Sequence, residues 1–231
     1  MVKRFLIFLV LIFFVIMLLP LISDVQPQTE LNSLASKYVE DGPDELGGAN
    51  LVTSIVVTYR GLDTLGEVAV LFIATAGVGF LLRRRRNSES KTVKKRSSSE
   101  ILQSGTALLM PLIFLFGVYI FLHGHLTPGG GFQGGVVIAS GVLLSLLTYP
   151  KSEVSHKILN MIESLSGAFY IVVGILGIYL AAGFLDNRIL PLGEFGRLFS
   201  AGAIPIIYSL VGLKVGSELV GILDSMQRSD S

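Results

Sequence analysis

Three small groups of polar residues interrupt a chain that is otherwise dominated by long apolar runs. The first is Arg60, Asp63 and Glu67, set at spacings of three and four so that a helix would carry all three on one face. Glu67 directly precedes the apolar run 68–82. At ~1.5 Å of rise per residue it lies about 22 Å from Leu82. In a hydrocarbon core about 30 Å thick, that depth puts the carboxylate inside the membrane, in the outer third. Ionisable groups are costly there and usually serve a pathway, so Glu67 and Asp63 are candidates for handling a proton or a sodium ion. A second reading stands beside the first: Thr64-x-x-Glu67 has the form of a capping box that would start a helix at Leu65.

The second group is Lys214 and Glu218, spaced i,i+4 in the last apolar run. Lys214 is expected nearer the inner end, where it would snorkel with Glu218 beside it. If Gly212 and Gly216 press this helix against another, the pair would instead line an internal polar route.

The third group is the stretch His123-Gly-His-Leu-Thr-Pro-Gly-Gly-Gly-Phe-Gln-Gly-Gly135. Its two histidines are two residues apart and would point to nearly opposite sides of a helix. A metal site would need a further ligand that the stretch does not offer. His123 and His125 are therefore read as proton-relay or interface groups. Gly129, Gly130 and Gly131 strip the turn of side chains, and Gly134 and Gly135 follow, which is more glycine than a turn requires. Close approach of backbone or of a neighbouring protein is the expectation. No Gly-Lys-Ser/Thr follows, so this is not a phosphate loop. No nucleophile–base set is legible, and the chain by itself is not expected to be an enzyme. The absence of cysteine excludes disulfides, thiol nucleophiles and thiolate ligation of iron–sulfur clusters; no metal or other cofactor is expected.

These groups need membrane helices to position them. Charged residues are 15% of the chain, against about 25% in soluble domains. Six spans are expected: 5–22, a second built on 68–82, then 103–122, 132–147, 162–185 and 198–223. The first follows Lys3 and Arg4 and lacks a small-x-small cleavage site, so it is read as a retained helix rather than a signal peptide. The acidic segment 23–50, with Pro43, Gly47 and Gly48, is expected to be irregular over much of its length and external. Pro111 and Pro205 would kink the third and sixth spans. Gly131, Gly135 and Ala139, and Gly212 and Gly216, form rows of small residues that let helices pack closely in lipid. Arg83 to Arg86 and the lysines beyond flank a span, and we read them as topogenic rather than nucleic-acid-binding. The expected architecture is an all-α membrane protein of six transmembrane helices, both termini cytoplasmic, in the cell membrane.

The glycine-rich stretch resembles the signature of the MnhB-type subunits of Mrp/Mnh-type multisubunit sodium/proton antiporters. The similarity continues through Gly193-Glu-Phe-Gly-Arg-Leu-Phe-Ser-Ala-Gly-Ala-Ile-Pro205 and Gly212-Leu-Lys-Val-Gly216. Tyr59-Arg-Gly-Leu-Asp-Thr-Leu-Gly-Glu67 is similar to the C-terminal end of the large MnhA-type subunits of the same antiporters. The resemblance implies three parts: a two-helix segment over 1–82, a basic linker over 83–100, and a four-helix MnhB-like domain over 101–231. The large MnhA-type subunits continue far upstream with helices absent here. The split arrangement fits archaeal membrane-bound respiratory complexes that carry an Mrp-like module, the hydrogenases and sulfane sulfur reductases. The implied partners are other Mrp-like membrane subunits, iron–sulfur redox subunits of the same complex, and the bilayer.

Overall fold

The computed structural model describes residues 2–23, 30–86, 98–150 and 154–229. The chain divides into two compact units, Met1–Lys37 and Tyr38–Ser231. In the first, helix α1 (Val2–Ser23) leaves all its large apolar side chains from Phe5 to Leu19 exposed. An unbroken apolar sequence of this length has no polar face to turn to water, which is the pattern of a membrane span.

Helices α2 (Ser33–Glu40) and α3 (Gly42–Leu46) occupy the acidic segment expected to be irregular. Pro43 sits in the first turn of α3, and Gly47 closes it in the left-handed conformation at φ 68°. Proline at a helix start and glycine just past its end are helix signals, and read as breakers they misled. Asn50 then caps α4 (Leu51–Ser54), its side chain accepting from the Thr53 amide at 3.4 Å. The β-branched stretch continues as a π-helical turn, Ile55–Tyr59, into α5 (Gly61–Arg86).

Four further long helices follow. Helix α6 (Glu100–Leu122) contains Pro111, α7 (Gly131–Thr148) begins within the glycine-rich stretch, and α8 (His156–Leu180) precedes a long connector with a 3-10 turn, Asn187–Ile189. Helix α9 (Ile204–Ser229) ends the described chain. The six helices α1 and α5 to α9 are long and apolar enough to cross a membrane, so the all-α membrane fold with six spans holds. In the second unit α9 is central: α7, α8 and α5 pack around it, and α6 packs on α7. The basic stretch 83–100 falls largely outside the described residues.

Two boundaries on either side of the last connector differ from expectation. Helix α8 stops at Leu180 rather than Leu185, and α9 starts at Ile204 rather than Leu198. Within residues 181–203, Leu185, Ala201 and Ala203 are buried by the chain itself, and hydropathy does not separate such a connector from a span. Asn187 holds this connector from within, its amide donating to the carbonyls of Leu46 at 2.8 Å and Ala201 at 2.9 Å. The later start also places Pro205 in the first turn of α9, where it costs no hydrogen bond and gives no reason for a kink.

Candidate functional site

The boundary of α9 decides what Lys214 and Glu218 are. Lys214 is ten residues past Ile204, about 15 Å down a helix rising ~1.5 Å per residue. Glu218 is about 21 Å down. On a core about 30 Å thick, that places Lys214 near the middle and Glu218 in the inner third. Glu218 is fully buried and Lys214 nearly so, with Nζ 2.7 Å from Glu218 Oε1. The ammonium lies on a buried carboxylate one turn nearer the inner end of α9, so the pair faces the protein interior. A second carboxylate approaches from α8, Glu163 Oε1 lying 4.0 Å from Nζ. The Phe72 ring of α5 faces the same ammonium at 5.3 Å from its centroid. Glu218 Oε2 has no hydrogen-bond partner among the described residues. One cation between two carboxylates in a low-dielectric interior can change partners at small cost, which is what a moving charge needs.

Glu163 was missed because the fifth span was expected to open at Ile162, leaving it at the rim. With α8 opening at His156, Glu163 lies two turns inside. An intramembrane carboxylate was the available signal.

Glu67 is exposed on α5 and has no hydrogen bond or ion pair among the described residues. Its carboxylate acts electrostatically on the buried Tyr170 and Tyr208 hydroxyls. The capping box fails. Helix α5 already runs from Gly61, and the Thr64 hydroxyl donates to the Val56 carbonyl at 2.7 Å, bridging the π turn instead. Asp63 pairs with Arg60 at 2.5 Å at the exposed start of the helix, apart from Glu67.

The glycine-rich turn is tied down by α4. The Thr53 hydroxyl donates to the Gly124 carbonyl at 2.6 Å, and the Asn50 amide donates to Gly124 and Thr127 carbonyls at 2.8 and 3.0 Å. The Tyr208 hydroxyl of α9 reaches Thr53 Oγ1 at 3.1 Å. Neither Asn50 nor Thr53 was singled out from sequence; a polar Asn-x-x-Thr before an apolar helix is a common cap and carries no sign of a partner 70 residues away. His123 stacks on Tyr119 with centroids 4.1 Å apart. His125 is fully buried, with Nε2 3.3 Å from the Arg197 carbonyl, so Nε2 carries the proton. Burial pushes the His125 imidazole below its usual range, and the carbonyl contact only partly opposes that. The two histidines thus do different things, one on the surface and one neutral in the interior.

Gly131 and Gly135 of α7 meet Gly212 and Gly216 of α9 at backbone distance. A Cβ on Gly131 would lie 2.8 Å from the Tyr208 carbonyl oxygen, and one on Gly135 2.8 Å from that of Gly212. Gly129 has the Ile120 carbonyl oxygen 2.7 Å from where its Cβ would be, and Gly130 has Gln133 Oε1 at 2.6 Å.

Outside the spans, Arg188 clamps the connector. It meets Asp186 Oδ2 at 2.6 Å and Glu45 Oε1 at 3.0 Å, and Glu45 accepts from the Tyr59 hydroxyl at 2.5 Å. Burial alone would raise the Asp186 carboxyl, but hydrogen bonds from Arg188 and the Ala182 amide hold it below the usual carboxylate range. A depressed carboxylate stabilises the fold above its unfolded pKa, and that contribution is lost as pH falls through the lower folded value. Asp186→Asn should therefore remove about 1–2 kcal/mol at neutral pH, a charge-assisted hydrogen bond discounted because Arg188 is 36% exposed. Thermal unfolding in detergent checks this: the variant and native curves should converge in strong acid and differ at pH 7.

The family described as "Domain related to MnhB subunit of Na+/H+ antiporter" matches residues 101–221, and the MbhE family, a subunit of MBH, matches residues 7–98. An uncharacterised protein of Methanocaldococcus jannaschii is 30% identical over 216 residues, covering 80% of this chain and 81% of its own. The B-type subunit of the Na+/H+ antiporter of Bacillus subtilis is 38% identical over 88 residues, 38% of this chain and 56% of that one. Among solved structures, a chain of the membrane-bound sulfane sulfur reductase, an archaeal respiratory membrane complex, superposes with a TM-score of 0.82 at 42% identity, covering 98% of both chains.

Proposed function

The chain belongs to the family of domains related to the MnhB subunit of Na+/H+ antiporters, and from that premise we propose that it is a membrane subunit of an Mrp-type sodium/proton-translocating module within a multisubunit respiratory complex. It is a multi-pass protein of the cell membrane. The match of residues 7–98 to MbhE and the full-length likeness to a sulfane sulfur reductase chain support an MnhA-like tail joined to an MnhB-like domain. By itself the chain is non-catalytic and without cofactor. Other Mrp-like membrane subunits are its partners, and iron–sulfur subunits of the same complex would supply the redox chemistry.

The observation that carries an ion route through this chain is the buried Lys214–Glu218 pair within a membrane-length helix, with Glu163 beside it. Glu67 and Asp63 would serve the outer side. Glu67 is exposed on a membrane helix, and a carboxylate there is costly against lipid. A neighbouring subunit packed on α5 would cover it and share its ion. The purified complex, reconstituted in proteoliposomes, tests both positions. Glu67→Gln should slow sodium and proton translocation at normal assembly; unchanged rates would remove Glu67 from the route. A structural adaptor without a route is the competing reading, favoured by the glycine contacts between α7 and α9. It requires translocation to survive loss of both Glu67 and Glu218.

A further inference from the structure

The polar seam between α8 and α9 continues past Glu218. On α8, His156, Glu163 and Tyr170 recur every seven residues, so one face carries all three. Helix α9 answers with Asp224, Glu218 and Lys214. His156 Nε2 lies 3.1 Å from Asp224 Oδ2, and the two ends of that contact differ: the imidazole side chain is 51% exposed and the carboxylate 2%. The contact runs from an exposed ring to a buried carboxylate. Between Asp224 and Glu218, steps of three along α9 pass through Gly221. Among the described residues, a Cβ at Gly221 would meet nothing within 4 Å, so there is open space beside it. About 9 Å of helix rise separates the two carboxylates. That is too far for direct transfer and short enough for a few bridging waters. Among the described residues, the charged groups facing this seam include His156 and Glu163 from α8 with Lys214, Glu218 and Asp224 from α9; α5 contributes the Phe72 ring.

We propose that His156 and Asp224 form the proton-exchange group of the route, passing protons between water at the start of α8 and buried Glu218 through the open space beside Gly221. The proposal rests on reading Lys214–Glu218 as part of an ion pathway. Imidazole is the side chain suited to exchange with water near neutral pH, and chains of His, Asp and Glu are the usual material of membrane proton relays. A proton from water binds His156 at Nδ1. The proton on Nε2 passes to Asp224 Oδ2, leaving a neutral imidazole. Asp224 gives its proton through water beside Gly221 to Glu218. Neutral Glu218 holds Lys214 less strongly, and the ammonium turns toward Glu163. No covalent bond other than O–H and N–H changes, no electron moves, and the reverse order carries a proton outward.

Three variants in the intact complex, reconstituted in proteoliposomes, test this. Gly221→Leu should fill the open space and lower proton translocation roughly tenfold or more. Its assembly should be unchanged, because no atom of the described residues lies within 4 Å of the new Cβ. His156→Ala should show a similar loss, with rate restored by added imidazole, which a purely structural role would not give. Glu218→Gln separates the two readings. If it abolishes translocation while Gly221→Leu and His156→Ala run at the native rate, the relay is overturned and the route stands. If Glu218→Gln itself runs at the native rate, the route falls and the relay with it. If Gly221→Leu lowers assembly, the His156→Ala result decides: loss restored by imidazole supports the relay, and a native rate or a loss that imidazole does not restore overturns it.

Discussion

Glu218→Gln is expected to lower ion translocation by the assembled complex roughly 100-fold, the scale of losing a positioned acid–base group. Lys214 would lose the negative charge of its 2.7 Å partner and keep Glu163 at 4.0 Å and the Phe72 ring. Breaking one side of a buried pair leaves an uncompensated charge and costs about 3–5 kcal/mol, whereas neutralising both sides often costs little. A single Glu218→Gln chain should therefore be less stable than the double variant Lys214→Met with Glu218→Gln. The double variant should regain thermal stability and remain unable to translocate. That separation is the point of the experiment, because an ion pair kept only for structure would be dispensable once both charges are gone. Native sodium and proton flux in the double variant would remove the pair from the route. Thermal midpoints in detergent and flux in proteoliposomes supply the two readings.

Hydropathy alone located the six spans because length and apolar composition are what a bilayer demands of a helix. It failed where apolar residues are buried by the chain itself. Phe184 fills the space beside Gly174, and Leu185 is fully buried at φ 61°, so a stretch that reads as the end of a span is a folded connector. The same error pushed the start of α9 six residues early and made Lys214 look peripheral. The ion pair itself was legible, since i,i+4 spacing of opposite charges needs no tertiary information. Glu163 and the His156–Asp224 contact were not, because they depend on which face of α8 meets α9. The heptad of His156, Glu163 and Tyr170 holds that information, but only once α8 is known to begin at His156. The hydrogen bonds of Asn50 and Thr53 to the glycine-rich turn lie further out of reach. They join segments more than 70 residues apart through side chains whose local role, capping α4, already explains them.

The helix contact that holds this seam in place should fail at Gly135 and survive at Gly216. A Cβ on Gly135 would lie 2.8 Å from the Gly212 carbonyl oxygen, 2.9 Å from Val215 Cβ and 3.0 Å from the Gly216 amide nitrogen. Two of those three atoms are backbone, so relief requires α7 and α9 to part. On Gly216 the nearest atom to a new Cβ is the Gly135 oxygen at 3.4 Å, an ordinary contact. Gly135→Ala should thus cost about 1–3 kcal/mol, the usual range for overpacking, and Gly135→Leu should abolish accumulation of the complex. Gly216→Ala should assemble normally. Quantifying the chain in purified complex, with the thermal midpoint of each variant, checks the order. Equal behaviour of Gly135→Ala and Gly216→Ala would mean that the α7–α9 contact is looser than its backbone distances state. Because α9 carries Lys214, Glu218 and Asp224 while α7 holds α9 in register through its backbone, the assembled fraction of a mild Gly135 variant should also translocate more slowly. Packing in lipid has no hydrophobic drive of its own, so the register of the polar seam rests on these small-residue contacts.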